Sequence, residues 1–194
     1  CSSDLKEMSG PEGTLGMIHA LRRVSLHPSL IEGGVNASEL KVEDSARFMA
    51  MMSILDKVAL TGEKVLIFLE SLDLQEADQL PLLLQRRYGL SKAPMVINGQ
   101  VSTEARQFRV DSFQRDAGFD VMLLSPKAGG VGLTLTAANH VIHLSRWWNP
   151  AVEDQCSDRV YRIGQTKPVH IYYPLAVLPD DEEFSFDVQL QVLM

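Results

Sequence analysis

The chain has 194 residues, enough for one α/β domain with a full core and part of a second. Its 45% hydrophobic content excludes global disorder, and a net charge of −7 excludes a uniformly basic nucleic-acid binder. The charge is uneven, however: residues 86–168 hold eleven Lys/Arg against seven Asp/Glu, a local excess of +4 that leaves −11 on the remainder and keeps a local anionic partner open.

In chain order, residues 14–27 (TLGMIHALRRVSLH) have helical spacing and stop at Pro28. SLIEGGVNAS, with Gly33 and Gly34, reads as loop, and residues 42–60 as a long amphipathic helix ending before Gly62. KVLIFL (64–69) is an apolar run, hence a buried strand. Residues 73–88 are expected to be helical, with Gly89 at the C-cap. PMVING is a second strand, 102–115 a helix beginning at Ser102 or Thr103, and DVMLLS, HVIHLS and VHIYYPLAV are strands three to five. Short apolar strands alternating with helices predict an α/β fold, a mainly parallel sheet covered on both faces. LPDDEEFS reads as a solvated turn. The chain opens at Cys1 and stops within the amphipathic run FDVQLQVLM, as a piece excised from a longer protein does.

Cys1 and Cys156 form neither a disulfide framework nor a metal pattern, which fits a reducing compartment. His140 and His143 are three apart in a strand, on opposite faces, so a shared metal is not expected. No apolar run approaches a membrane span, and no signal peptide is visible.

The chemistry concentrates in WWNPAVEDQCSDRVYRIGQ, residues 147–165. Asn149 suits an N-cap and Pro150 the first helical position. The helix is expected to run to about Ile163, ended by Gly164. At that spacing Gln155, Arg159 and Arg162 (i, i+4, i+7) share a face. Such a face is either a solvated basic surface or a phosphate clamp, since the guanidinium fork matches phosphate oxygens. Upstream, SPKAGGVGLTLTAAN follows a strand. Its Gly129, Gly130 and Gly132, after Ser125, Lys127 and Ala128, let backbone N–H groups approach an anion at the carboxyl end of the sheet, where ligands of open α/β sheets sit. The loop is neither Gly-x-Gly-x-x-Gly nor Walker A, which disfavours a self-sufficient nucleotide hydrolase and a dinucleotide-binding oxidoreductase.

Together, LLSPKAGGVGLTLTAANHVIHLSRWWNPAVEDQCSDRVYRIGQTKPVHIYY resembles the second RecA-like motor lobe of the Swi/Snf-type ATP-dependent DNA translocases of helicase superfamily two. Residues 125–139 match that family's motif V and 155–165 its motif VI. INGQVSTEARQFRVDSFQ resembles the segment between motifs IV and V, with Arg106 and Phe113 at its landmarks, and ALRRVSLHPSL resembles the lead-in to the lobe. The resemblance implies a RecA-like three-layer α/β/α lobe without a P-loop at 63–178, a helical lead-in at 1–62, and an acidic turn with the start of a C-terminal helix at 179–194.

It also implies roles. Arg159 and Arg162 match the arginines that reach ATP phosphates across the interlobe cleft, with Gln155 beside them as part of the catalytic set. Gly130 and Gly132 belong to the nucleotide-facing part of the loop. Ser125, Lys127, Ala128, Gly129, Arg106 and Trp147 fall on the DNA side. Phosphate contacts position without reading sequence, so the expected partner is double-stranded DNA irrespective of sequence. ATP and Mg²⁺ are expected to be held mainly by an N-terminal RecA-like lobe of the same polypeptide, with none bound to this lobe alone, which is then inactive by itself. The parent is expected to be a monomer, bound to no membrane. A compact lobe fits a bacterial source and a cytoplasmic, nucleoid-associated location, or a nuclear one in a eukaryote. A different reading is a non-catalytic nucleic-acid or protein binding module that keeps the fold. Three positions depart from the family: Glu70 where glutamine is frequent, Thr134 where asparagine is, and Ser145 where an acid is. Trp147 and Trp148 are either base-stacking platforms or packing that fixes the helix. Tyr161 and His143 are expected at the core or its boundary, and both arginines are expected to face solvent.

Overall fold

A computed structural model describes residues 11–30, 40–127, 132–147, 149–178, 180–181, 183 and 185–193. Helix α1 (Pro11–Leu26) is followed by a 3₁₀ turn at Pro28–Leu30, then a second such turn (Val42–Asp44) and α2 (Ala46–Thr61). Strand β1 (Lys64–Phe68) follows, then α3 (Leu80–Tyr88), β2 (Met95–Ile97), α4 (Thr103–Arg115) and β3 (Asp120–Leu124). The chain ends with β4 (His140–His143), α5 (Pro150–Ser157), β5 (His170–Tyr172) and α6 (Phe186–Leu193).

The five strands form one parallel sheet in the order β2-β3-β1-β4-β5. β1 and β3 lie centrally, which explains their unbroken apolar runs: every position of both is buried, with Lys64 opposite Asp120 and Phe68 opposite Leu124. Alternate side chains divide between two cores. Val65, Ile67, Val121, Leu123 and Ile142 pack under α2 and α3 (Phe48, Met51, Leu55, Leu80, Leu84). Leu66, Phe68, Met122, Leu124 and Val141 pack under α4 and α5 (Val110, Phe113, Cys156). This is a three-layer α/β/α sandwich. The β3–β4 crossover contains no helix among its described residues. Leu133, Leu135 and Ala138 of that segment are buried in the second core and do a helix's work there.

Local chemistry sets the element ends. Ser45 Oγ accepts from Phe48 N (3.2 Å) and donates to Leu26 O (2.8 Å), so α2 starts at Ala46, four residues later than its apolar spacing suggests. Gly62 (φ 68°) and Gly89 (φ 61°) close α2 and α3 in the left-handed region, which glycine alone enters without strain. The stretch 73–88 is not one helix. Pro81 has no N–H to give and belongs in a first turn, so Asp73–Gln75 forms a separate 3₁₀ turn and α3 begins at Leu80. Strand five is shorter than its apolar run because it is an edge strand followed by Pro174, which cannot extend the ladder. Most of the glycine loop expected before α2, the motif V residues Ala128, Gly129 and Gly130, and Trp148 lie outside the described residues.

At the amino ends of the strands Glu63 accepts from His140 Nε2 (2.9 Å), Lys167 Nζ (3.0 Å) and Asn139 Nδ2 (3.0 Å). His140 first and then Lys167 pull its carboxyl down to about 2. His140 and His143 lie on opposite faces of β4, one against Glu63, the other against Ser157 Oγ (2.9 Å). Among the described residues no helix is long and apolar enough to cross a membrane, and no three His, Cys, Asp or Glu are grouped to hold a metal.

Candidate functional site

Five segments emerge at the carboxyl ends of the parallel strands, and those after β1, β2, β3 and β4 carry the candidate site. Ser125 N donates to Ile97 O (2.9 Å), so the crossover starts beside the end of β2, from which α4 and Arg106 follow. Ser125 is buried and Lys127 exposed. Arg106 is half-buried. Its Nη2 reaches Val101 O at 3.4 Å, while its buried Nε finds no partner among the described residues.

α5 starts as expected: Asn149 Oδ1 accepts from Ala151 N (3.1 Å), with Pro150 in the first turn. It stops at Ser157, six residues short of Ile163, which corrects the sequence expectation. The backbone beyond is taken by the crossover: Arg159 O accepts from Leu135 N (3.0 Å), and Arg162 N turns back to Val160 O (3.0 Å). With the helix ended, Gln155, Arg159 and Arg162 share no helical face. Gln155 stays exposed on α5.

The two arginines part company. Arg159 is 3% exposed, contrary to its expected place in solvent; its Nε has no hydrogen-bond partner and it forms no ion pair among the described residues. Burial, and then the nearby Arg162 charge, pull its guanidinium below the ordinary arginine range. Arg162 is exposed, and reaches back to the crossover: Nη1 donates to Gly132 O (3.3 Å) and Thr134 Oγ1 (3.2 Å), Nε to Asp158 O (3.2 Å). Both arginines therefore meet residues 132–135, by a route sequence spacing did not show. Beside Arg162, Tyr161 is 74% exposed rather than at the core boundary, whereas His143 is buried, stacked on Phe68 and Tyr173.

Several residues that brace the site were not legible beforehand. Glu153 is buried; it accepts from Arg146 Nε (3.0 Å) and from Trp147 N (2.7 Å), fixing the entry to α5. Trp147 is half-buried, with the Arg22 guanidinium 5.8 Å from its ring centroid. Arg22 also donates to Glu70 Oε2 (2.6 Å) and to Arg146 O (2.9 Å), tying α1 to the ends of β1 and β4. Ser145 Oγ accepts from Glu70 N (3.1 Å), joining the ends of β1 and β4. Gln165 Nε2 donates to Thr136 O (3.1 Å) and Ala138 O (2.7 Å), clipping the turn after α5 to the crossover. Cys156 Sγ faces Pro126 O at 3.9 Å; burial pushes its thiol up to about 12, so it is packing, not a nucleophile.

The family of the helicase conserved C-terminal domain matches residues 47–164. This chain belongs to that family. The helicase lobe is 39% identical over 188 residues to Zorya protein ZorD of Escherichia coli, covering 94% of the lobe and 16% of that protein. It is 36% identical over 177 residues to the putative ATP-dependent helicase/translocase YwqA of Bacillus subtilis, covering 91% and 18%. The SWI2/SNF2 ATPase core domain of Sulfolobus solfataricus superposes with a TM-score of 0.69 at 31% identity, over 86% of this chain and 32% of that one. The helicase lobe is thus a RecA-like C-terminal lobe of the Swi/Snf type, and spans between 16% and 18% of the length of the two relatives.

Proposed function

We propose that this lobe supplies arginine fingers and sequence-independent DNA contacts to an ATP-driven double-stranded DNA translocase whose first lobe holds the nucleotide. The observation that supports it most is Arg159, a buried side chain whose Nε has no hydrogen-bond partner and which forms no ion pair among the described residues, next to the exposed Arg162. An unpaired buried charge is costly, and a fold tolerates it where an anion arrives in function. The site fits phosphate: two forked donors beside a glycine-containing segment at the strand ends. ATP would supply a transferable phosphoryl group, and Arg159 and Arg162 would stabilise charge growing on its oxygens. In other nucleotide hydrolases such arginines contribute about 10³–10⁵ in rate, or roughly 4–7 kcal/mol of barrier. Ser125 and Lys127 are assigned to the DNA backbone.

The test uses the full-length parent. Arg162→Ala and Arg159→Ala are expected to nearly abolish DNA-stimulated ATP hydrolysis while DNA binding persists. Arg159→Met is expected to be just as inactive yet no less stable than wild type, because it removes a buried Nε that lacks a hydrogen-bond partner among the described residues. The isolated lobe is expected to hydrolyse no ATP. Near-normal turnover of both alanine variants would leave the binding-module reading in its place.

A further inference from the structure

We propose that Thr134 is a positioning residue for Arg162, and that its hydroxyl links the DNA-facing crossover to the aim of that arginine. This inference rests on the assignment of Arg162 made above. Exposed arginines ordinarily sample many rotamers, and holding one ready in advance needs fixed acceptors. Arg162 has three. Two are backbone carbonyls, of Asp158 (3.2 Å from Nε) and of Gly132 (3.3 Å from Nη1). The third, Thr134 Oγ1 at 3.2 Å from Nη1, is the only side chain of the set. Among the described residues no acceptor engages Nη2, so Nε and Nη1 are held while Nη2 stays open.

The hydroxyl is itself well anchored. Thr134 is exposed, but Leu133 and Leu135 on either side are buried in the second core, 8% and 0% exposed. Alternation along this extended segment drives two leucines inward and turns the threonine outward toward Arg162. Leu135 also donates its N–H to Arg159 O, so one residue step separates the ties to the two arginines. Gln165 holds the same two segments together at Thr136 and Ala138 and donates its N–H to Arg162 O (2.9 Å), but engages neither guanidinium. A shift of the crossover near Lys127 and Gly132 on gripping a DNA backbone would therefore reach Arg162 through Gly132 O and Thr134 Oγ1.

The experiment compares Thr134→Val, which keeps the shape and removes the hydroxyl, with Thr134→Ser, which restores it, in the full-length parent. One hydrogen bond to a charged group is lost at a solvent-exposed site where two carbonyls still hold the guanidinium. Thr134→Val is then expected to lower DNA-stimulated kcat about 3- to 10-fold. The ratio of stimulated to basal turnover should fall with it, while the KM for ATP, the duplex affinity and the melting temperature stay at wild-type values. Thr134→Ser is expected to recover the ratio. A Thr134→Val protein with the wild-type ratio, one that loses activity only because it melts earlier, or a serine variant that fails to recover, overturns the inference. Arg162→Ala in the same panel separates the two claims. If it is inactive and Thr134→Val is normal, only the role of Thr134 falls; if it is active, the assignment of Arg162 falls and this inference with it.

Discussion

Asp187 in the first turn of α6 is the residue whose loss is expected to cost this lobe most. Its Oδ2 accepts from Arg47 Nε (2.8 Å) and Ala176 N (2.6 Å), its Oδ1 from Ser25 Oγ (2.9 Å), and Arg47 Nη2 also reaches it. One carboxylate thus joins α1, α2, the segment after β5 and α6. Arg47 continues to Leu144 O (2.8 Å) at the end of β4. The ion pair is almost dry, with side chains 3% and 0% exposed, and burial lowers the Arg47 pKa against the opposing pull of Asp187. Asp187→Ala strands that cation, and breaking a buried pair from one side costs about 3–5 kcal/mol. Against a typical domain stability of about 5–15 kcal/mol this is a large share, and in a chain of this size it lowers Tm by roughly 6–20 °C. Arg47→Met combined with Asp187→Leu removes both charges. It should recover most of the loss, short of about 1–3 kcal/mol for the donors left behind on Ser25 and Ala176. Urea denaturation of wild type, the single variant and the double variant measures each term. A loss below about 1 kcal/mol for Asp187→Ala, or a double variant weaker than the single one, would show that the pair does not hold α6 to the lobe.

His143 is expected to make stability depend on pH. Burial, and then the charge of Arg146, lower its pKa from 6.5 to about 4. Between those values the unfolded chain binds a proton that the folded one refuses, so this contribution is complete above pH 6.5 and disappears as pH falls to about 4. The full effect is about 3 kcal/mol, and urea midpoints at pH 7 and pH 5 should converge in His143→Leu; an unchanged slope refutes the assignment. The isolated lobe is expected to bind duplex DNA weakly, without sequence preference and with affinity falling steeply as salt rises, because the +4 excess in residues 86–168 is set against an acidic remainder. Fluorescence anisotropy with random and fixed duplexes at two salt concentrations checks this; tight, salt-insensitive, selective binding contradicts it.

Most element types were legible in residue order because local chemistry writes them. Unbroken apolar runs marked β1 and β3, a serine before a polar run marked the start of α4, Asn-Pro marked the start of α5, and Gly62 and Gly89 marked helix ends. The concentration of Gln155, Arg159 and Arg162 after a glycine-rich loop pointed to the family before any contact was known. Tertiary competition decided the rest. Helical spacing carried α5 to Ile163 because no sequence pattern reveals that Leu135 takes the Arg159 carbonyl and draws the backbone out of the helix. Burial of charge was equally hidden. Arg47, Arg146, Glu153 and Asp187 look like any surface residues in order along the chain, and pairs separated by as many as 140 positions become partners only when the sheet and its helices are assembled. The same assembly buries Arg159 and leaves Arg162 exposed, because the crossover passes against the first and beneath the second. Short-range spacing reports which groups are present, and only the packed fold decides which of them lose water.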